Sequence, residues 1–301
     1  MDIPSFFNLQ AYSTSRIQQI NAALDRLTPP ADAPPASLHE AMRYSLFAGG
    51  KRVRPLMCVA AAEAVGGTAE KVLPVACAIE MIHTFSLIHD DLPALDNDDL
   101  RRGMPTSHKV YGEALAILAG DALHTLAFSV LAGKQECDDP ARLFRVIRLI
   151  AESCGEAGMV GGQVDDMLYE RRPDITPEIL RSIHARKTGA LLNASILSGA
   201  ILSGAAVDQE DALRNYGDQI GVAFQIIDDI LDVTSDDATL GKPAGSDLKN
   251  DKATYPKLFG LEKSTQLAQD AVQTALSALS HFDERAEPLR AFASYIIQRD
   301  M

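Results

Sequence analysis

The stretch Ala69–Gly103, AEKVLPVACAIEMIHTFSLIHDDLPALDNDDLRRG, joins two kinds of sequence that seldom meet. Its first part carries apolar residues at three- and four-residue spacing, almost all round. That pattern predicts a helix surrounded by other helices. The stretch then sets Asp90, Asp91, Asp96, Asp98 and Asp99 close together and ends on Arg101 and Arg102. Like charges this near one another destabilise a fold unless something offsets them. Pro93 is expected to disrupt the helix just after the first two aspartates, letting the chain loop and bring Asp96 back to them. Capping of a following helix accounts for Asp98 and Asp99. It does not account for Asp90 and Asp91 at the end of an apolar helix, where the dipole disfavours acids.

The same helical spacing recurs in GEALAILAGDALHTLAFSVLA, TPEILRSIHARKTGALLNASILSGAIL and EDALRNYGDQIGVAFQIIDDILDV. The proline-rich Thr28–Ser37 reads as a loop after a short N-terminal helix. Thr176 and Pro177 read as the N-cap and first residue of a helix. Thr234–Asp251 is a polar, glycine-bearing insertion too long for a simple connection, so a functional loop is expected there. No linker divides the chain. The expectation is one all-α domain spanning residues 1–301, a single bundle of about ten helices.

Composition narrows the function. The chain has 301 residues, 47% of them hydrophobic, and a net charge of -13. Such acidity argues against nucleic-acid binding and against docking on anionic lipid. Cys58, Cys77, Cys137 and Cys154 lack paired C-x-x-C spacing and read as buried apolar residues. The start of the sequence lacks a basic segment followed by an apolar one, no apolar run reads as long enough to span a bilayer, and a cytoplasmic protein is expected.

A second acidic cluster, FQIIDDILD, holds Asp228, Asp229 and Asp232. At about 100° per residue, Asp232 lies about 40° around the helix from Asp228, and Gln225 about 60° from it. These three form a polar patch on an apolar helix. Burying unpaired carboxylates costs several kcal/mol each. A hard cation such as Mg²⁺, held by a few carboxylates, water and substrate phosphates, is the expected compensation. Basic residues should then gather at the same mouth. FAGGKRVRP supplies Lys51, Arg52 and Arg54, and is not a phosphate-binding G-x-x-x-x-G-K-[ST] loop. HARKTGALL places Lys187 and Thr188 inside an apolar helix, Lys242 and Lys252 flank the long polar loop, and Arg101 and Arg102 follow the first cluster. His83 lies about 20° around the helix from Asp90, two turns back, and so faces the same side.

These motifs together resemble one family. GGKRVRP, IHTFSLIHDDLPALDNDDLRRG, GDAL, GGQVDD, KTGAL, FQIIDDILD, LGKPAGSD and KATYP run in the order seen in trans-type short-chain polyprenyl diphosphate synthases, the farnesyl and geranylgeranyl diphosphate synthases. The resemblance implies an all-helical fold around a deep cavity, usually as a homodimer, and head-to-tail condensation of isopentenyl diphosphate with an allylic diphosphate. It assigns Asp90, Asp91, Asp96 and Asp228 to three Mg²⁺ ions on the allylic diphosphate, with Asp229 and Asp232 completing the second motif. It places Arg101, Lys187, Thr188, Gln225, Lys242 and Lys252 around that diphosphate, and Lys51, Arg54, His83 and Arg102 around isopentenyl diphosphate.

In this branch a large aromatic five positions before the first aspartate accompanies a C15 product, and a small or flexible residue a C20 product. Phe85 holds that position, with Ser86 beside it, so the resemblance implies farnesyl diphosphate, with geranylgeranyl diphosphate as the alternative. The wheel itself puts Ser86 beneath Asp90 and Phe85 to one side. A class I terpene cyclase would carry N-x-x-x-S-x-x-x-E as its second motif, which is absent. A non-catalytic synthase subunit commonly lacks one aspartate motif, and both are present. His89 in HDD has none of the further ligands that a metal-dependent phosphohydrolase needs.

Overall fold

The computed structural model describes residues 7–133, 139–170, 172, 174–234 and 253–298. The loop Thr234–Asp251 after its first residue, Lys242, Lys252 and Cys137 lie outside the described residues. Helices α1 (Leu9–Leu27), α2 (Ala36–Leu46), α3 (Val53–Ala64) and α4 (Ala69–Asp90) open the chain. A two-residue antiparallel hairpin, β1 (Leu100–Arg101) with β2 (Met104–Pro105), follows. Then come α5 (Ser107–Tyr111), α6 (Glu113–Ala132), α7 (Pro140–Cys154), α8 (Met159–Tyr169) and α9 (Pro177–His184). A π-helical turn, Ala185–Gly189, leads into α10 (Ala190–Leu202), and α11 (Val207–Thr234) carries the second acidic motif. Helices α12 (Tyr255–Phe259), α13 (Leu261–Ala278) and α14 (Glu287–Gln298) close the described chain.

The fold is all-α, as the helical spacing predicts. Local chemistry explains the boundaries. The Asn8 side chain accepts the Ala11 amide at 2.9 Å at the start of α1. Thr176 accepts the Ile179 amide at 3.3 Å, with Pro177 in the first turn of α9, where a missing N–H costs nothing. One large cluster of buried side chains runs from α1 to α14 and includes Leu56, Ile79, Leu123, Leu191, Tyr216 and Leu289. Tyr216 is fully buried, and its hydroxyl donates to the Leu289 carbonyl at 2.7 Å. Cys58, Cys77 and Cys154 are buried free thiols, and burial pushes Cys77 up to about 12.

Several expectations need correction. The N-terminal helix is 19 residues long rather than short. The segment from Thr176 to Leu202 is not one helix but two, joined by the π turn. No helix follows DNDD directly. A hairpin stands there, so Asp98 and Asp99 do not cap α5. Instead their carbonyls accept the Thr106 hydroxyl (2.8 Å) and amide (3.0 Å), while the Asp99 carboxylate meets Lys109 at 2.6 Å. Two helices, α4 and α6, are also long and apolar enough by composition to cross a membrane, contrary to the sequence expectation. Core helices pass the same test, and α4 and α6 pack against one another within the bundle.

Candidate active site

The chain turns back at the end of α4 as Pro93 requires. The Asp96 amide donates to the Asp90 carbonyl at 2.9 Å, and Asn97, at φ 52°, donates to Leu92. Asp96 thereby returns to Asp90. Burial pushes the Asp90 carboxyl up to about 6; Lys187 opposes that shift, and Asp96 adds to it. Asp91 is buried and takes a different partner. Its Oδ1 accepts Arg101 Nε at 2.8 Å, and Arg101 also reaches Asp98 at 3.4 Å. Burial raises the Asp91 pKa, and the Arg101 hydrogen bond opposes the rise. The hairpin makes this pairing possible by folding Arg101 back over the helix end.

Arg102, at φ 56°, turns the other way and donates to the Gly49 carbonyl. Gly50 lies directly beneath it at φ 116°, where a Cβ would strike the guanidinium. This close approach joins the GGKRVRP loop to the acidic hairpin. Within that loop the three cations separate. Lys51 is exposed. Arg52 is buried and structural, paired with Glu80 at 2.7 Å and donating to the Leu46 carbonyl at 2.6 Å. Burial lowers the Arg54 pKa, and the charges of Glu80 and Asp228 oppose the fall while Arg102 adds to it. His83 sits among these groups. Burial, reinforced by Arg54, Arg102, Arg101 and Arg52, holds its ring well below the ordinary histidine range and therefore neutral.

The π turn supplies the other side. Lys187 Nζ donates to Asp166 at 2.6 Å, and Arg186 pairs with Asp165, both acids lying on α8. The Thr188 hydroxyl donates to Gln225 Oε1 at 3.0 Å, and Gln225 Nε2 donates to Asp229 at 2.9 Å. Asp229 also accepts the Tyr255 amide at 3.0 Å, which fastens α12 to α11. Gln225 therefore bonds Asp229, rather than forming a patch with Asp228 and Asp232 alone. Asp228 is half-buried and acts on Arg54, whereas Asp232 is buried. Phe85 is half-buried, 4.9 Å from the His89 ring and 4.7 Å from the His124 ring on α6, and Ser86 donates to the His83 carbonyl at 2.9 Å. His89 itself meets the Ile117 carbonyl at 3.1 Å and packs over Gly120, a structural position.

Sequence pattern alone gives the acids of GGQVDD no role and does not reveal the buried Arg52–Glu80 pair. The signal for Asp166 was available, because an unpartnered lysine in an apolar helix demands an acid. The π turn left no compositional trace.

The donor set fits a hard cation. The carboxylates of the two motifs offer only oxygen, and burial, with Asp96 adding to it, raises the Asp90 pKa, a cost of the charged form that a cation would offset. Among the described residues, no three His, Cys, Asp or Glu side chains stand close enough to hold a metal by themselves.

A helical bundle that sets aspartates near the C-terminal ends of α4 and α11 together with lysine and arginine side chains suits a protein that handles anionic substrates. The polyprenyl synthetase family model matches residues 35–292, and this chain belongs to that family, the short-chain trans-prenyl diphosphate synthases. It is 50% identical to the heterodimeric geranylgeranyl pyrophosphate synthase large subunit 1 of Arabidopsis thaliana chloroplasts, over 98% of this chain and 81% of that one. It is 48% identical to the geranylgeranyl diphosphate synthase of Cyanophora paradoxa, over 98% of this chain and 97% of that one. Among solved structures, an FPP/GFPP synthase from Zymomonas mobilis superposes with a TM-score of 0.86 at 40% identity, covering 96% of this chain and 99% of that one. Prenyltransferase activity follows from this membership.

Proposed function

We propose that this chain condenses isopentenyl diphosphate head-to-tail with allylic diphosphates and that its end product is geranylgeranyl diphosphate. The observations that support the condensation are the return of Asp96 to Asp90 at the end of α4 and the tie of the π turn, which carries Lys187 and Thr188, to Gln225 and Asp229 of the second acidic motif. Lys187 acts on Asp90 from the π turn, and Asp228 acts on Arg54 from α11. Asp90, Asp91, Asp96 and Asp228 are the residues that would hold Mg²⁺. When bound, the metal supplies neutralisation of the charge that gathers on a leaving diphosphate.

The chain's own residues account for the rest. As the allylic C–O bond breaks, the electron pair leaves with pyrophosphate, and Lys187 and Arg101 present fixed positive charge to it. The Thr188 hydroxyl and Gln225 amide, tied to each other, offer dipoles to the allylic cation. The isopentenyl double bond attacks that carbon, and the proton then lost passes to the released pyrophosphate. Arg54, Arg102 and Lys51 hold the second diphosphate. Neutral His83 adds a hydrogen bond without a charge to desolvate.

On product length, the relatives named above as geranylgeranyl diphosphate synthases support C20 over the farnesyl diphosphate that Phe85 leads one to expect. Farnesyl diphosphate is the second reading, favoured by an aromatic at that position. We further propose a homodimer formed over the apolar residues that α6 leaves exposed, Ile117 and Leu118. Light scattering tests it, with a monomer as the contrary result.

The test of function is incubation with labelled isopentenyl diphosphate, each allylic primer and Mg²⁺, followed by mass spectrometry. Extension to C20 is expected. Arrest at C15, moved to C20 by Phe85→Ala, establishes the farnesyl reading instead. Absence of any extension overturns both.

A further inference from the structure

The two acids that end GGQVDD have no part in the chemistry above, yet both reach the π turn. Asp166 accepts Lys187 Nζ at 2.6 Å, and its neighbour Asp165 pairs with Arg186. The two pairs look alike but end on different targets. Lys187 is the cation that faces the leaving diphosphate in the condensation above, and the next residue, Thr188, donates to Gln225 at 3.0 Å, whereas Arg186 has no part in that chemistry. We propose that Asp166 is a positioning residue: it holds the Lys187 ammonium where the allylic diphosphate is bound. The Asp165–Arg186 pair only fastens α8 to the turn. This inference rests on the proposed condensation and deepens it.

The backbone around Lys187 is already fixed. A Cβ on Gly162 would stand 2.3 Å from the Lys187 amide nitrogen, so α8 touches the turn at that point. From the other side, Thr188 is tied to Gln225 and through it to Asp229. What remains undetermined is the lysine side chain, a point charge on a four-carbon flexible stem. One carboxylate at its tip selects a single arrangement. An ammonium has three donors, so bonding to Asp166 leaves two for phosphate oxygens, and the pair need not break when substrate arrives. A cation fixed beforehand stabilises developing charge without reorganising during the reaction.

The test compares Asp166→Asn, Asp166→Glu and Asp165→Asn with the wild-type chain. Each substrate is varied while the other saturates, and melting temperature is measured in parallel. Asp166→Asn is expected to lower kcat/KM for the allylic substrate by about tenfold to a hundredfold and to leave the KM for isopentenyl diphosphate unchanged. Asp166→Glu, which keeps the charge on a longer stem, should fall between Asp166→Asn and wild type. Asp165→Asn should alter melting alone. Equal kinetic effects of the two Asn variants, or wild-type kinetics in Asp166→Asn, overturn the inference. If Asp166→Asn does not fold, Asp166→Glu decides: wild-type kinetics overturn the inference, and a selective allylic loss supports it. A wild-type chain that extends no allylic primer overturns the condensation itself, a result distinct from any of these.

Discussion

The two acidic motifs are spelled almost alike, but the structure uses their residues differently. At the end of α4 the helix stops, the chain curls, and Asp96 is brought back toward Asp90. The cost is visible there, because burial and a neighbouring acid push Asp90 up to about 6. On α11 the helix runs on to Thr234, and the middle acid is committed to structure. Asp229 is buried and receives both the Gln225 amide and the Tyr255 backbone N–H. The first motif holds a carboxylate at the fold's expense, while the second ties one of its carboxylates into the fold. Identical residue types in a D-D motif therefore predict opposite responses to substitution.

The largest effect should fall on turnover. Asp90→Asn and Asp228→Asn keep side-chain volume and remove charge, and each is expected to lower kcat by about 10²–10³-fold in steady-state assays. A loss under twofold in either would break the pairing of the two ends. The next effect runs in the opposite direction, on stability. A carboxyl whose folded pKa lies near 6 rather than the ordinary 3.8 binds its proton more tightly in the native state. Its ionisation costs stability progressively as pH rises from about 4 to 6. Removing it should stabilise the fold at pH 7 by at most about 3 kcal/mol. Asp90→Asn should therefore melt higher than wild type at pH 7, and the gain should vanish below pH 4. An unchanged or lower melting temperature at pH 7 contradicts the account of α4. The third effect, on α11, has the opposite sign: Asp229→Ala orphans the Tyr255 amide and should destabilise by about 1–3 kcal/mol in denaturant titration. An Asp229→Ala chain as stable as wild type would remove the contrast.

Much of this arrangement was legible in the sequence. The apolar spacing of Ala69–Asp90 and of the α11 segment gave helices, and Pro93 marked where the chain turns. The spread of acids and bases along apolar helices marked the candidate site residues. Three features were not legible, each for a physical reason. The hairpin that lays Arg101 on Asp91 has strands of only two residues, and although Gly103 stands in its turn at φ 75°, it also needs Arg102 and, before it, Asn97 at positive φ, which such residues rarely adopt. The π turn, Ala185–Gly189, packs on α8 and α11 and carries no spacing signal that sets it apart from the helices it joins. Gln225 faces both Asp228 and Asp229 within one helical turn, so the wheel alone did not choose between them.

The central claim is a condensation that depends on carboxylate-held Mg²⁺ at the α4 and α11 ends. The most direct measurement is incorporation of labelled isopentenyl diphosphate into allylic product by the purified chain, with Mg²⁺ and with excess EDTA. The account predicts extension with Mg²⁺, its abolition by EDTA, and recovery when Mg²⁺ is restored. Full activity in EDTA would contradict it.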